Sequence, residues 1–411
     1  KNVYRPARVV SYDKESGELV LHNYMDFDDL KDYVKISYEL TQDGLVISKG
    51  KLAEVSVAPH SEGKTNLKVN VQENGKCYLK LIYHLKKEMP LLEENHILGF
   101  DEIEVSQKDA KCQLAEKWLE KTATDSELQV NEDDTQIHIK GREFAYTIDR
   151  RTALFTEMKF AGREYLNHPM ELNIWRAPTD NDMYIKAEWK KAHYDKAYTR
   201  AYTTEVVQGK HGVKIVSHAS VVAETVQKIL DVTITWKIDA SGKIDADIEA
   251  AKDGEFPDLP RFGVRMFLDK KLSDARYFGM GPQESYRDKH QAASHGLYRA
   301  NVRDLHEDYI RPQENGSHYD CEYVELNNSR YVMAAFSEST FSFNASYYTQ
   351  EELEKKTHNY ELAESDSVVL CVDYALNGIG SNSCGPVVLD QYRFNDVLFR
   401  FQFTLVPYVK G

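Results

Sequence analysis

The stretch that decides the fold reads Ile174-Trp175-Arg176-Ala177-Pro178-Thr179-Asp180-Asn181-Asp182. It predicts a strand that ends near Pro178 and continues as a loop with three consecutive side-chain acceptors. Asp and Asn hydrogen-bond to nearby backbone and tolerate left-handed conformations, so such a run stabilises an irregular loop. The same oxygens can also bind a cation or sugar hydroxyls. From these residues alone, a structural loop and a ligand site both remain open.

Three further motifs lie towards the C-terminus. They read Gly279-Met280-Gly281-Pro282-Gln283-Glu284-Ser285-Tyr286, Pro312-Gln313-Glu314-Asn315-Gly316, and Gly378-Ile379-Gly380-Ser381-Asn382-Ser383-Cys384-Gly385-Pro386. Together with the first stretch, they resemble the C-terminal region of the large bacterial β-galactosidases of glycoside hydrolase family 2, a region known as the small-chain domain. The resemblance covers nearly the whole chain and is strongest from Asn173 onward.

The bulk composition narrows the classes of function. A chain of 411 residues predicts two or three domains, and its net charge of −14 argues against a nucleic-acid or anionic-membrane partner. No apolar run approaches the roughly 20 residues needed to span a bilayer. The first residues lack a signal-peptide core and an initiator Met, so we expect a piece of a longer chain. Five scattered cysteines without a C-x-x-C pair favour reduced thiols and a cytoplasmic location.

Residues 1–108 are predicted to form an immunoglobulin-like β-sandwich. Apolar residues alternate along two segments, at Val34, Ile36, Tyr38 and Leu40 and again at Cys77, Leu79, Leu81, Tyr83 and Leu85. This period of two is typical of half-buried strands, and Gly-containing turns recur at short spacing between them. About seven short strands in about 100 residues is the pattern of such a sandwich. The resemblance implies a spacer domain.

Residues 109–125 are predicted to be a connector, and residues 126–411 a second all-β domain. Strand patterns dominate there, at 137–140, 144–148, 213–218, 230–238, 261–268 and 398–406. Only 187–196 and 350–356 suggest short helices. So many strands with so few helices predict a large two-sheet sandwich. The resemblance implies a more specific architecture, a supersandwich similar to that of galactose mutarotase.

Glycoside hydrolysis requires two carboxyl groups, which in retaining enzymes face each other at about 5 Å. With 66 acidic residues, counting candidates decides nothing. The resemblance implies that both catalytic glutamates lie on an upstream (β/α)8 barrel, and no strand–helix alternation here could form one. The dipeptide Asn131-Glu132 is the nearest candidate, but it opens an acidic turn. We therefore expect no catalytic residue and no cofactor in this chain; Mg²⁺ and Na⁺ are expected for the parent enzyme, with ligands upstream.

The resemblance also implies two loops at the mouth of the barrel. One contains Asp180, Asn181 and Asp182 and continues past Tyr184, at a position where relatives often have Gly, to the acidic Glu188. The other is residues 380–386, where the family's sugar-stacking Trp is replaced by Cys384, which cannot stack. We expect Asn382, Ser383 and Cys384 to line the rim of the completed substrate site. The alternative is a Gly-, Ser- and Asn-rich turn without further function.

These points predict a non-catalytic C-terminal part of a β-galactosidase, which is inactive alone and completes the active-site rim and subunit contacts. The expected partners are the catalytic barrel, a galactoside such as lactose that is hydrolysed with retention, and further copies of the parent enzyme. The alternative is a stand-alone carbohydrate-binding or mutarotase-like module. For a mutarotase-like function, the candidate acid and base residues are His290, His295, His306 and His318, which lie near Glu284, Glu307 and Glu314 in the sequence. For a carbohydrate-binding module, a row of tryptophans would be expected, and no such row is visible.

Overall fold

A computed structural model describes residues 2–116, 128–209, 211–225 and 227–410. The predicted all-β class is confirmed, since strands dominate the described residues and helices are few and short. The chain forms two compact units. One comprises Lys1–Glu116 with Gln291–Leu297, and the other comprises Lys117–His290 with Tyr298–Gly411. Residues 117–125 of the predicted connector lie outside the described residues, and its exact boundaries stay a prediction.

The described part of the first unit contains one turn of α-helix, α1 (Leu30–Tyr33), two 3₁₀ turns and seven complete strands. The strands are β1 (Ala7–Tyr12), β2 (Glu18–Asn23), β3 (Val34–Gln42), β4 (Leu45–Lys51), β5 (Glu62–Asn66), β6 (Cys77–Leu85) and β7 (Ile97–Glu104). They form a three-stranded sheet in the order β1-β2-β5 and a four-stranded sheet in the order β4-β3-β6-β7. Alternate residues of β3 and β6, such as Leu40 and Leu81, are buried in one core with Leu19 and Leu21 of β2. This is the predicted sandwich.

The strands of the second unit are more numerous. They are β8 (Gln129–Glu132), β9 (Gln136–Lys140), β10 (Phe144–Asp149), β11 (Leu154–Phe160), β12 (Arg163–Glu164), β13 (Leu166–Asn173), β14 (Tyr198–Gln208), β15 (Gly212–Val222), β16 (Leu230–Asp239), β17 (Ile244–Lys252), β18 (Arg261–Asp269), β19 (Asp274–Gly281), β20 (Ser294–Asn301), β21 (Ser317–Asn327), β22 (Tyr331–Ser346), β23 (Ser367–Leu376) and β24 (Leu398–Val409). Residues 294–297 of β20 belong to the first unit. The first five of these strands form a sheet in the order β12-β11-β10-β9-β8.

The other twelve strands form one large sheet. Its main path runs β13-β18-β23-β22-β24-β17-β16-β15-β14, and every pairing along it is antiparallel. Strand β21 pairs with β22, β19 with β21, and β20 with β19. Strand β24, the last in the sequence, therefore lies in the middle of the sheet.

The two sheets of the second unit share one hydrophobic core. The rings of Phe155 on β11 and Trp236 on β16 meet edge to face, with centroids 5.0 Å apart. The Trp236 indole donates to the carbonyl of Ala153 at 2.8 Å, and the Tyr146 hydroxyl donates to that of Gly242 at 2.7 Å. Both of these buried aromatic side chains thus have a hydrogen-bond partner for their polar atom, which avoids the cost of burying it unpaired. The predicted large two-sheet sandwich is confirmed.

Strand β22 changes its partner halfway along. On one edge it pairs with β21. On the other edge, residues 331–336 pair with β24 and residues 342–346 pair with β23. Residues 337–341 lie between these two ladders. The sheet therefore forks at this point, where β23 and β24 separate.

Both predicted helices are present, with different bounds. Helix α2 (Ile185–Lys191) begins two residues before the predicted start and ends near His193, whose left-handed backbone (φ 57°) stops it. A separate 3₁₀ turn, Tyr194–Lys196, follows. Helix α3 (Gln350–Lys355) begins after Thr349, whose side chain accepts from the amide of Glu352 at 3.1 Å.

Candidate functional site

The loop after β13 is held by a buried ion pair between Arg176 and Asp182. The guanidinium donates through Nη2 to Oδ1 at 2.7 Å and through Nε to Oδ2 at 3.2 Å, and both side chains are almost inaccessible to solvent. Oδ2 of Asp182 also accepts from the amide and hydroxyl of Thr179, at 2.9 and 3.1 Å. Both oxygens of Asp182 are thus used within the loop, which turns as a 3₁₀ helix over Asp180–Asp182.

The same arginine joins this loop to the chain that follows β23. Arg176 donates to the carbonyls of Asn377 and Gly378. The next two amides, of Ile379 and Gly380, donate to the carboxylate of Asp288 at 2.9 and 2.7 Å. Arg176, Asp182, Asp288 and the backbone of residues 377–380 form what we call the loop base. It brings together three segments that are distant in the sequence.

A second buried charge cluster supports the loop base. Arg261 donates to Glu314 at 2.8 Å and also binds Asp373, and all three side chains are essentially inaccessible. The other oxygen of Glu314 accepts from the amide of Ala177 at 3.1 Å. Burial raises the pKa of Asp373 to about 6, against the lowering effect of Arg261. Two carboxylates lie near each other here, but neither is accessible to a substrate.

Residues 380–386, which we call the rim loop, lie on top of the loop base. Asn181 donates through Nδ2 to the carbonyl of Gly380 at 2.7 Å, and its Oδ1 accepts from the Ser383 hydroxyl at 2.7 Å. Within the loop, the amides of Cys384 and Gly385 donate to the carbonyl of Ser381. Ser383 and Cys384 are exposed and Asn382 is half-buried. The structure therefore places Asn181, Asn382, Ser383 and Cys384 together.

The other three residues predicted to bind substrate have different surroundings. Asp180 is exposed and accepts from the Gln313 amide at 3.2 Å. Glu188 lies on the exposed face of α2 and makes no side-chain hydrogen bond to any residue that the structure describes. Asp182 is only 2% exposed, so its geometry suits shaping the loop rather than touching a ligand. A sugar contact by any of the seven predicted residues stays a prediction.

Sequence reasoning did not identify Asp288 or Asn377 as parts of the site. Asp288 comes two residues after the motif that ends at Tyr286, and Asn377 directly precedes the motif that begins at Gly378. Their closeness to these motifs in the sequence is the signal that could have identified them. Asn377 accepts from the amide of Phe394 at 2.8 Å through its side chain, which fixes the carbonyl that Arg176 binds. Both residues act through backbone groups, and a sequence motif does not reveal such contacts.

Glu284, from the second motif, links two loops beside the loop base. Its carboxylate accepts from Lys289 at 2.6 Å, from the amide of Gly316 at 3.0 Å and from the Tyr309 hydroxyl. Burial opposes its ionisation, but the bonds from Lys289 and Tyr309 hold its pKa below the usual value. Glu284 therefore stays charged and holds the loop that contains Glu314.

The histidines of the mutarotase alternative are not paired with glutamates in the larger unit. Among its described residues, none of His290, His306 and His318 is hydrogen-bonded to a glutamate. His318 is buried between Tyr277 and Phe343, with ring centroids at 4.4 and 5.0 Å. Burial lowers its pKa to about 4, so it is neutral at physiological pH. The fourth, His295, belongs to the smaller unit and contacts Glu102 there at 2.7 Å.

Within residues 2–116, 128–209, 211–225 and 227–410, no group of three or more His, Cys, Asp or Glu side chains is arranged to hold a metal ion. In the same residues, no helix has the length and apolarity that crossing a membrane requires.

The matching family models and the sequence relatives point to one family. A family model described as "Beta galactosidase small chain" matches residues 140–405, and one described as "Beta-galactosidase, domain 4" matches residues 19–106. A β-galactosidase of Actinobacillus pleuropneumoniae is 42% identical over 99% of this chain, and one of Staphylococcus xylosus is 31% identical over 98%. The chain spans 39% and 40% of their lengths. A galactose 1-epimerase from Lactobacillus acidophilus aligns over 70% of this chain and 99% of its own, with 8% identity and a TM-score of 0.38.

Proposed function

Since the chain belongs to the β-galactosidase family, we propose that it is a non-catalytic C-terminal part of a β-galactosidase. In this proposal it completes the active-site rim of a catalytic barrel and contributes to contacts between enzyme subunits. The whole enzyme hydrolyses terminal β-D-galactosides such as lactose with retention of configuration, through a covalent glycosyl-enzyme.

The observation that carries the proposal is the way the rim loop is supported. Asn181 holds an exposed loop on a base whose ion pair, Arg176 with Asp182, is removed from water. A functional group is presented at a fixed position when packing and hydrogen bonds beneath it lock its supports. The rigid base suits a loop that contributes Asn382, Ser383 or Cys384 to a site completed by another domain.

The surface around the rim loop supports the same proposal. Met183 and Tyr184, which follow Asp182, are 42% and 62% exposed, and Val387 and Leu389, which follow the rim loop, are 70% and 62% exposed. Exposed apolar side chains that are close in sequence to one site favour a surface covered by a partner. The catalytic barrel of the same enzyme is the partner that we propose.

The carboxylates support a non-catalytic role. Glu314 and Asp373 both bind Arg261, but they are buried. Glu132, the candidate in Asn131-Glu132, accepts from Arg150 at 2.6 Å at the end of β8. A retaining glycosidase needs two carboxyl groups on either side of an accessible sugar. Neither arrangement has this geometry.

We also propose that the parent enzyme uses Mg²⁺ and Na⁺, with ligands outside this chain, and that it is a cytoplasmic homo-oligomer. None of the five cysteines forms a disulfide, and Cys77, Cys321 and Cys371 are buried, which is compatible with a reducing compartment.

A complementation assay tests the proposal. The purified chain, alone and then mixed with a chain that contains the catalytic barrel, is given an aryl β-galactoside. We expect no hydrolysis alone and hydrolysis on mixing, and the heat-denatured chain is the control. Hydrolysis by the chain alone would show that it contains a carboxylate pair, and inactivity of the mixture would refute the completing role.

A further inference from the structure

A pocket of about 180 Å³ lies at the fork in the large sheet, where β22 changes its partner. Its walls come from the start of β21, residues 340–342 of β22, the end of β23 and the residues just before β24. We call it the fork pocket. It exists because β23 and β24 diverge there and leave a gap that a continuous sheet would fill.

Three tyrosines, Tyr286, Tyr319 and Tyr374, and three charged residues line the fork pocket. Tyr374 is stacked on Phe399, with centroids 5.1 Å apart, and Tyr319 is stacked on His290 at 5.7 Å. The carboxylates of Asp320 and Asp396 lie in the same lining, together with Arg287. Arg287 is held in place because it donates to the carbonyl of Arg393 at 3.1 Å.

The charged groups of the lining shift the pKa values of Tyr319 and Tyr374. Burial, and then the Asp320 carboxylate, raise the pKa of Tyr319, while burial, and then Asp396, raise that of Tyr374. Arg287 opposes both shifts. Each ring therefore has its own carboxylate, and the two share one arginine.

Ser317 supplies an independent sign of a ligand. The residue is only 1% exposed, it lines the fork pocket, and its hydroxyl has no hydrogen-bond partner in the structure. Buried hydroxyls without a partner are rare and costly, so such a group is an indication of a missing partner.

The chemistry of the lining selects one class of ligand. Two carboxylates against one guanidinium give a net negative charge, which disfavours phosphates and other anions. Aromatic faces suit the apolar C–H face of a sugar ring, and carboxylates accept from its hydroxyls. The volume is below the roughly 300–1,000 Å³ of pockets for drug-sized ligands, so it fits one ring rather than an oligosaccharide. We infer that the fork pocket binds a single neutral pyranose, with Ser317, Asp320 and Asp396 as hydroxyl partners.

Binding by the purified chain tests this inference independently of galactosidase activity. D-galactose and D-glucose are titrated and followed by saturation-transfer NMR, with choline as a cationic probe. We expect at least one of the sugars to bind with a Kd of about 1–10 mM, which is in the range of small ligands with about a dozen non-hydrogen atoms. Saturable binding of choline without either sugar, or no binding by the folded chain, would overturn the inference.

Variants locate the binding. Asp396→Asn and Asp320→Asn should each weaken the affinity at least about tenfold, which corresponds to one lost charged hydrogen bond. Asn tolerates the left-handed backbone of residue 320 (φ 55°). Asp134→Asn, an exposed carboxylate in the turn between β8 and β9, is the matched control and should bind as the wild type does. Equal weakening in all three variants would overturn the assignment to the fork pocket.

Ser317→Ala separates binding from folding. The hydroxyl has no hydrogen-bond partner among the described residues, so its removal should leave the urea midpoint unchanged or slightly higher. The affinity for the sugar should nevertheless fall severalfold. An unchanged affinity in a folded Ser317→Ala variant would refute the role of this hydroxyl.

Discussion

The loop base and the rim loop lie next to each other but are built differently. In the loop base, Arg176 and Asp182 bury opposite charges and satisfy them through several hydrogen bonds. In the rim loop, most side chains are exposed, and the side-chain amide of Asn181 holds the loop by bonding to the carbonyl of Gly380 and the hydroxyl of Ser383. The difference separates two tasks. The loop base fixes the position of the rim loop, and the rim loop presents the exposed side chains.

The largest effect is expected from Arg176→Ala, which leaves the Asp182 carboxylate buried without its partner. Removing one member of a buried ion pair costs about 3–5 kcal/mol, so the free energy of unfolding should fall by that amount in urea. Arg400→Ala is the matched control, because Arg400 is 53% exposed and binds Asp247 at the surface. It should cost no more than about 1 kcal/mol. Equal losses of unfolding free energy in the two variants would show that burial does not make the ion pair of the loop base contribute more than the surface pair.

A pH-dependent effect is expected from His318. Its folded pKa of about 4 is below the unfolded value, so the unfolded state binds a proton first as the pH falls. The stability that neutral His318 provides is complete above pH 6.5 and is lost between pH 6.5 and 4, by about 3 kcal/mol. His318→Phe should remove this part of the pH dependence.

The comparison must be made between variant and wild type at each pH. Asp373 acts in the opposite direction, since its raised pKa of about 6 makes its contribution more favourable as the pH falls from 6 towards 4. His218→Phe replaces an exposed histidine and should keep the wild-type curve. If the free energy of unfolding of His318→Phe has the same pH dependence as that of the wild type, the prediction that His318 is buried in its neutral form is refuted.

A smaller effect is expected from Asn181→Ala, which frees the rim loop from its base. The loss of hydrogen bonds in a half-exposed position should cost about 1 kcal/mol. The rim loop should then be cleaved faster in limited proteolysis, and the complemented galactosidase activity should fall. Asn327→Ala removes a comparable bond, from Asn327 to the Asp274 carbonyl at 3.0 Å, and should change neither readout. Unchanged cleavage in Asn181→Ala would show that the loop is ordered by its own turn.

The smallest effect is expected from Cys384→Ala in the whole enzyme. A thiol at the rim makes only weak contacts, so kcat/KM for lactose and for an aryl galactoside should fall about twofold to fivefold, or less than about 1 kcal/mol. Cys112→Ala, a change in the smaller unit, is the control. An unchanged kcat/KM would remove Cys384 from the substrate site.

Local patterns predicted the strands well, because alternation depends only on neighbouring residues. The predicted strands at 137–140 and 144–148 correspond to β9 and β10 within one residue at each end. The order of the strands was not predictable in this way. The pairing of β17 with β24 joins segments about 150 residues apart, and nothing local to either segment specifies its partner.

The site shows the same limit. Asp180, Asn181 and Asp182 were recognised as a group of acceptors, yet their sequence does not show which acceptors are already used. Asn181 reaches the carbonyl of Gly380, 199 positions away, whereas Asp182 is used by Arg176 six positions away. The resemblance placed both loops at one site. Only the three-dimensional contacts separate the residue that holds the rim from the one that holds the base.

The central position of β24 has a consequence for synthesis on the ribosome. Strands β14–β17 can form a meander early. One edge of β17 and one edge of the first half of β22 stay unpaired until residues 398–409 have been synthesised. At about 5–20 residues per second, some 150 residues separate the synthesis of β17 from that of its partner, so its edge stays open for about 8–30 seconds. An unpaired strand edge is a template for aggregation. The nascent chain is therefore most vulnerable just before its middle strand is supplied, and a chaperone that binds exposed edges should engage it in that interval.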